Sequence, residues 1–229
     1  MGLWIRVAVL LVVFVGSAIA DEHNSEYGII HLSATAEKEV KNDLLIATLI
    51  VHAEDNDPAQ LANRINATMG WALTRLKPMT AIKHKTLNYQ TNPVYDRKRE
   101  KVLGWRAQQT LQLESQDFEA AGKAIELLQS RLKMTSMQLQ PQPSTRKAAE
   151  DELINEALNA FKARAELVQT NFGASNYALR EIHVNTGSHF VPPRYDARIS
   201  HMQASEAAPA IEGGTSQVSV QVQGSIELD

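Results

Sequence analysis

The chain has 229 residues, contains no cysteine and carries a formal net charge of −3 at pH 7. This mildly acidic balance argues against a nucleic-acid partner, because proteins that bind nucleic acids present basic surfaces. The absence of thiols excludes disulfides, thiol catalysis and thiolate metal sites, so we expect the fold to depend on its hydrophobic core.

The first twenty residues have the pattern of a secretory signal peptide. Arg6 supplies positive charge, residues 7–15 are continuously apolar, and Ala18 and Ala20 are small residues at the positions that a signal peptidase reads. The apolar run is shorter than the ~20 residues that span a bilayer. We therefore expect export to the periplasm with cleavage after Ala20.

Cleavage would remove one arginine and no acid, which leaves a mature charge of −4. Residues 21–28 are polar and are expected to form a flexible lead to a single domain over residues 29–229. Since no later stretch approaches membrane-spanning length, the mature chain is expected not to cross a membrane.

Two strands are predicted at the start of this domain. Residues 30–36 alternate between apolar and polar side chains, and residues 44–53 are apolar on both faces, as in a central strand. The turn at residues 41–43 lies between them, so we expect a hairpin.

A helix should follow, with Asp57 as its N-cap and Pro58 at its first position. Pro78 ends the helix near Leu76, and a third strand is predicted over residues 79–91. A polar connection over residues 92–101 leads into the next strand.

The strand over residues 102–114 places its larger apolar side chains on one face and its polar side chains on the other. Asp117 caps a second helix, with Ile125 and Leu128 on its apolar face, and residues 134–139 form a short strand. This strand, helix and strand repeat the order of the strand, helix and strand predicted over residues 44–91.

The repeat extends to the residues at the junctions. Residues 54–57 and 114–117 both end in an aspartate that opens a helix, and both helices close on Arg-Leu-Lys before a Met-Thr pair. One interpretation is a duplicated unit, and the other is that two units share capping and stop signals for local reasons. In both cases we expect each unit to cross over between parallel strands.

The longest periodic segment is a predicted helix near residues 144–172. Its apolar residues recur at spacings of three and four: Ile154, Leu158, Phe161, Ala165, Val168 and Phe172. Ser144 or Thr145 is expected to cap it after Pro141 and Pro143, and Gly173 to end it. We expect this helix to be the central support of the domain, and its heptad-like spacing also suits self-assembly.

The remaining chain is predicted to contain a strand over residues 177–184, a long loop over residues 185–214 and a final strand with alternating valines. Long loops in compact domains are often functional.

Four segments resemble the SIMPL-domain family, formerly a domain of unknown function. They are residues 103–107 with 111–117, residues 157–167, residues 171–173 that end the long helix, and residues 211–214 before the final strand. The resemblance covers about residues 29–228. It implies an α+β fold and a likeness to bacterial periplasmic proteins linked to oxidative-stress defence, and it supplies no catalytic residues.

Two groups of residues are candidate sites. His52, Glu54, Asp55 and Asp57 have the ligand chemistry of a zinc or manganese site, but acids at the start of a helix are also favoured by the helix dipole. The connection over residues 92–101 combines Tyr95 with three consecutive basic residues, which would suit an anionic surface or partner, or simply a solvated turn.

The sequence thus predicts an α+β fold in which helices pack on a mixed β-sheet. We expect a non-enzymatic periplasmic protein that acts by binding or self-assembly, with a small-ligand or metal binder as the alternative. No catalytic residue and no cofactor is assigned, and the 92–101 and 185–214 loops stay open as binding surfaces. Any stress-defence role rests on the family resemblance alone.

Overall fold

The computed structural model describes residues 28–98, 100–187 and 211–229. Within these ranges the elements are β1 (Ile29–Lys41), β2 (Leu44–Asp55), α1 (Pro58–Leu76), β3 (Lys83–Tyr95), β4 (Val102–Ser115), α2 (Phe118–Gln129), β5 (Lys133–Gln140), α3 (Pro143–Phe172), β6 (Tyr177–Asn185) and β7 (Thr215–Leu228). The predicted α+β class is confirmed. The expected signal peptide and most of the lead lie outside the described residues.

The strands form two sheets, with the orders β1-β7-β6 and β3-β4-β2-β5. Neighbouring strands in both described sheets are antiparallel, where one mixed sheet was expected. The predicted hairpin of β1 and β2 is wrong, because β1 pairs along its whole length with β7. The strand β2, apolar on both faces, instead lies between β4 and β5.

The four-stranded sheet contains both strand-helix-strand units. Its order is that of the ferredoxin-like arrangement, in which two such units interlock. Since β4 is antiparallel to both β2 and β3, β2 and β3 run parallel with β4 between them. Each unit therefore does cross over between parallel strands, as expected, but skips one strand.

The two predicted helix caps in these units are confirmed. The carboxylate of Asp57 accepts the backbone amides of Ala59 and Gln60 at 2.8 and 3.4 Å. The carboxylate of Asp117 accepts the amide of Ala120 at 2.9 Å. Both helices pack on one face of the sheet. The buried residues between helices and sheet include Ile65 of α1, Leu128 of α2, and Leu45, Leu49, Leu111 and Leu113 of the strands.

The strand β3 starts later and ends later than predicted. After α1 the chain makes a further turn, in which the amide of Ile82 donates to the carbonyl of Met79 at 3.0 Å. Ile82 is buried in the core, whereas Leu87 and Tyr89 are exposed. Backbone hydrogen bonds to β4 hold this edge strand in place. Such bonds need no apolar side chains, so the strand continues to Tyr95.

The long helix α3 covers only the three-stranded sheet, so it is not the support of the whole domain. Its buried residues are Ala149, Leu153, Ala157, Phe161 and Ala165, packed on β1 and β7. The predicted apolar face is therefore largely confirmed: Phe161 and Ala165 are buried and Ile154, Leu158 and Val168 pack against the same core, whereas Phe172 is 74% exposed. Three alanines on the buried face let the helix approach the sheet closely, while Leu153 and Phe161 fill the space between. Among the described helices, none combines the length and the apolarity that crossing a bilayer requires.

The start of α3 also differs from the prediction, because Pro143 is its first residue and neither Ser144 nor Thr145 caps it. The role of a cap is taken from outside the helix by Asp43, in the turn between β1 and β2, which bonds the N-cap residue Gln142 and the side chain of Thr145 instead of a helical amide. Its carboxylate accepts the backbone amide of Gln142 at 2.6 Å, the side-chain amide of Gln142 at 3.1 Å and the hydroxyl of Thr145 at 2.7 Å. Gly173, in the left-handed conformation, ends the helix as predicted.

The preceding residue, Asn42, connects the two sheets. Its buried side chain donates to the carbonyl of Gly213 at 2.8 Å and accepts the hydroxyl of Ser216 at 2.6 Å. Its backbone amide donates to the carbonyl of Gly214 at 3.1 Å. We call Asn42, Asp43 and Gly213 the joint, because they link the turn after β1 to α3 and to the approach to β7.

The joint predicts a cost for enlarging Gly213. A Cβ at this position would lie 2.5 Å from the carbonyl oxygen of Asn42 and 3.0 Å from the ring of Phe118. We expect Gly213→Ala to lower the free energy of unfolding by about 1–3 kcal/mol in chemical denaturation. Gly70→Ala is the control: a Cβ there meets nothing within 4 Å, and alanine in a helix should add about 0.5–1 kcal/mol. Similar effects of the two substitutions would contradict the tight contact at the joint.

The cap on α3 predicts a pH dependence. Burial raises the pKa of Asp43, but the hydrogen bonds from Gln142 and Thr145 outweigh it, so the pKa lies below the ordinary value of 3.8. The folded state then favours the carboxylate, and its stabilisation is present above pH 3.8 and lost as the pH falls through the lowered pKa.

We expect Asp43→Ala to cost about 1–2 kcal/mol at neutral pH. The difference from the parent chain should shrink below pH 3.8, as measured by urea denaturation across pH. Asp151→Ala, at an exposed position on α3, serves as the control. A constant difference between parent and Asp43→Ala down to pH 2 would show that the carboxylate is not the cap.

Candidate functional site

The four residues weighed as a metal site are turned towards different partners. Successive side chains in β2 alternate between faces, so His52 and Glu54 lie on the face opposite the helices and Asp55 on the helix side. The carboxylate of Glu54 accepts a hydrogen bond from the guanidinium of Arg106 at 2.6 Å, and that of Asp55 accepts one from the guanidinium of Arg64 at 2.7 Å.

The third acid, Asp57, is occupied as the cap of α1. Among the residues that the structure describes, no group of three or more His, Asp and Glu side chains is arranged to hold a metal ion. Closeness in the sequence does not bring these side chains to one point, because successive side chains of a strand lie on opposite faces.

A hollow of about 580 Å³ lies beside these ion pairs. Its lining comprises Glu54, Asp55, Asn56, Arg64, Val94, Leu103, Gly104 and Trp105. The two acids already pair with Arg64 and Arg106, so the hollow presents compensated charges next to apolar walls.

The end of the β3–β4 hairpin contributes Val94, Leu103 and Gly104 to this hollow and extends past the end of β2. The last pair between β2 and β4 is Asp55 with Trp105, whereas β3 and β4 continue to pair through Val94 with Gly104 and Tyr95 with Val102. We call residues 94–104 the hairpin tip. A register shift between Val94 and Tyr95 leaves Leu103 as an extra residue on β4, and such a bulge redirects side chains.

The turn at the hairpin tip is closed by Asp96. Its backbone amide donates to the carbonyl of Lys101 at 2.9 Å. Its carboxylate accepts the amides of Glu100 and Lys101 at 2.8 and 3.3 Å. The acid thus has a structural role in the turn, and Arg97, Lys98 and Lys101 are exposed around it.

The hairpin tip also exposes three large apolar side chains. Tyr95 and Val102 are each 49% exposed and Leu103 is 61% exposed. Sequence reasoning identified Tyr95 and the basic run but assigned Val102 and Leu103 to a half-buried strand. The exposure of Val102 and Leu103 could have been predicted from their position, because they begin the strand directly after a charged turn, beyond the residues that the helices can cover.

The loop over residues 185–214 is described only at its two ends. His183, in the preceding strand, lies 2.8 Å from Glu181, whereas residues 188–210, with His189 and His201, lie outside the described residues. Ile211 packs against the core of the four-stranded sheet, and Gly213 belongs to the joint. The described end of this loop is therefore structural.

The edge strand β6 exposes a second apolar set. Leu179, Ile182 and Val184 are 38–51% exposed. They pair opposite Ile226, Gly224 and Val222 of β7, so they continue the face that α3 covers on β1 and β7. Their exposure shows that the helix does not extend over this strand.

These features allow the chain to be placed among known proteins. A comparison with curated proteins found no match. A family model, SIMPL, described as a protein of unknown function (DUF541), matches residues 30–226, which extend from β1 into β7 and include the joint and the hairpin tip. Because this match spans most of the sequence, the chain belongs to the SIMPL family.

Proposed function

We propose that this SIMPL protein is exported and acts without catalysis, by binding or self-assembly. The observation that carries the assembly part is β6, whose outer edge is unpaired in the described structure and whose apolar side chains are exposed beside α3. An unpaired strand edge offers backbone groups to a strand of another chain, and neighbouring apolar side chains add buried area.

The structural basis for assembly differs from the basis suggested by the sequence. The heptad-like spacing of α3 serves intramolecular packing, since Ala157, Phe161 and Ala165 are buried against the sheet. The helix α2 likewise buries Ile125 and Leu128 in its own core. Strand pairing at β6 is therefore the better route to an oligomer than a coiled coil.

Export is supported by the leader pattern of residues 1–20. A role in oxidative or envelope stress is supported only by the resemblance to periplasmic members of the family. Among the described residues, the displaced pKa values have structural causes: hydrogen bonds at the start of α3 lower the pKa of Asp43, and ion pairs with Glu152 and Glu119 raise the pKa of Lys38 and Lys123 at the surface.

Assembly through β6 predicts a concentration-dependent mass. We expect sedimentation velocity across micromolar concentrations to show the chain from Asp21 onward as an oligomer. Ile182→Lys should shift it towards monomer, because a charge would have to be buried in the new interface.

Leu167→Lys, at a 62% exposed position of α3, is the matched control and should leave the mass unchanged. A parent chain that stays monomeric at every concentration would rule out self-assembly. Dissociation by both variants would move the interface away from β6.

The alternative is a small-ligand or metal binder at His52. A hollow of about 480 Å³ that His52, Arg131 and Lys133 help to line favours the small-ligand form of this alternative, because the two cations would repel a metal ion. The acids nearby are already paired, so we expect added Zn²⁺ or Mn²⁺ to leave the melting temperature unchanged. A saturable rise in melting temperature that is lost in His52→Ala would favour the metal-binding alternative instead.

A further inference from the structure

We propose that the hairpin tip, residues 94–104, docks on an anionic phospholipid surface. This adds a partner to the proposed function. It depends neither on assembly through β6 nor on export, because the residues concerned lie at the opposite sheet and bind through their own chemistry.

The apolar side chains of the hairpin tip have no described cover. Tyr95 and Val102 pair with each other at the end of the hairpin and are each 49% exposed, and Leu103, the bulge residue next to Val102, is 61% exposed at the edge of the hollow. Tyrosine is favoured at the interface between lipid headgroups and acyl chains, and aliphatic side chains gain by burial below it. Such a cluster on a projecting turn suits shallow insertion.

The charge of the hairpin tip complements an anionic surface. By sequence, residues 96–101 contain four cations and two acids, a formal charge of +2 on a chain of net −3. Arg97, Lys98 and Lys101 are exposed, whereas the carboxylate of Asp96 is bonded to two backbone amides. Clustered cations next to a membrane surface attract anionic headgroups.

Neighbouring acids do not cancel this attraction. Glu54 and Asp55 lie closest along β2, and each is paired with an arginine, Arg106 and Arg64. The described part of the turn thus presents three exposed cations against two acids, Asp96 and Glu100, and the carboxylate of Asp96 is bonded to backbone amides.

A lipid surface fits better than a protein partner. A protein groove would be recognised through a defined set of pockets, whereas the hairpin tip offers exposed apolar side chains beside long cationic ones. That combination matches a headgroup layer, which is deformable and has no fixed pattern of charges.

The test is cosedimentation of the chain from Asp21 onward with vesicles. This form retains every described element but lacks the apolar leader, which could itself bind lipid. We expect binding to vesicles of phosphatidylglycerol and phosphatidylcholine in equal parts, with little binding to pure phosphatidylcholine. The binding should weaken as the salt concentration rises.

Two variants at the hairpin tip separate its contributions. Leu103→Ser should weaken binding about tenfold by removing a buried side chain. Arg97→Gln with Lys98→Gln should weaken it about fivefold for each cation removed. Circular dichroism confirms that each variant remains folded.

Matched controls lie on α3. Leu167→Ser removes a leucine of nearly equal exposure, 62% against 61%, and Lys147→Gln with Lys162→Gln removes two exposed cations. Both controls should bind as the parent does. The proposal is overturned if the parent ignores anionic vesicles, if it binds phosphatidylcholine equally well, or if the controls weaken binding as much as the hairpin variants. Binding of an acidic polypeptide in place of vesicles would assign the hairpin tip to a protein partner and also overturn it.

Discussion

The structure depends on a two-residue turn that serves both sheets. Asn42 bonds to the chain just before β7, 171 residues further along, and Asp43 caps the helix that covers β1 and β7. The side chain of Asn42 is buried, so the loss of its bonds would leave an unpaired donor and acceptor. The joint thus fixes the turn between the two sheets to the start of α3 and to the approach to β7.

The elements that the sequence predicted well are those controlled by neighbouring residues. Asp57 and Asp117 cap their helices, Gly173 ends α3, and the alternating valines of β7 are buried, because capping, chain reversal and alternation act within a few residues. The pairing of β1 with β7 has no such local signal. A turn between two strands predicts a hairpin by default, and only the whole fold shows that another strand is the better partner.

The candidate site was harder to predict for a related reason. His52, Glu54 and Asp55 lie within four residues of the sequence, yet strand alternation puts Asp55 on the other face, and Arg106 and Arg64 pair with the two acids. Val102 and Leu103 follow the pattern of a half-buried strand, but burial depends on what lies above a strand, and no local pattern contains that information. Tyr95 and the basic turn were recognisable because their composition alone is unusual.

The order of the strands constrains how the protein can fold. The four-stranded unit is built from one continuous stretch, from β2 to β5, so its contacts can form while the rest of the chain is still being made. The other sheet is built from both ends of the domain, and the described partner of β1 is the last strand of the chain. Closing that sheet requires a loop of almost the whole domain, which is a slow step. Until β7 is available, β1 is an open strand edge, and the folding of β1 waits for a strand that is made much later.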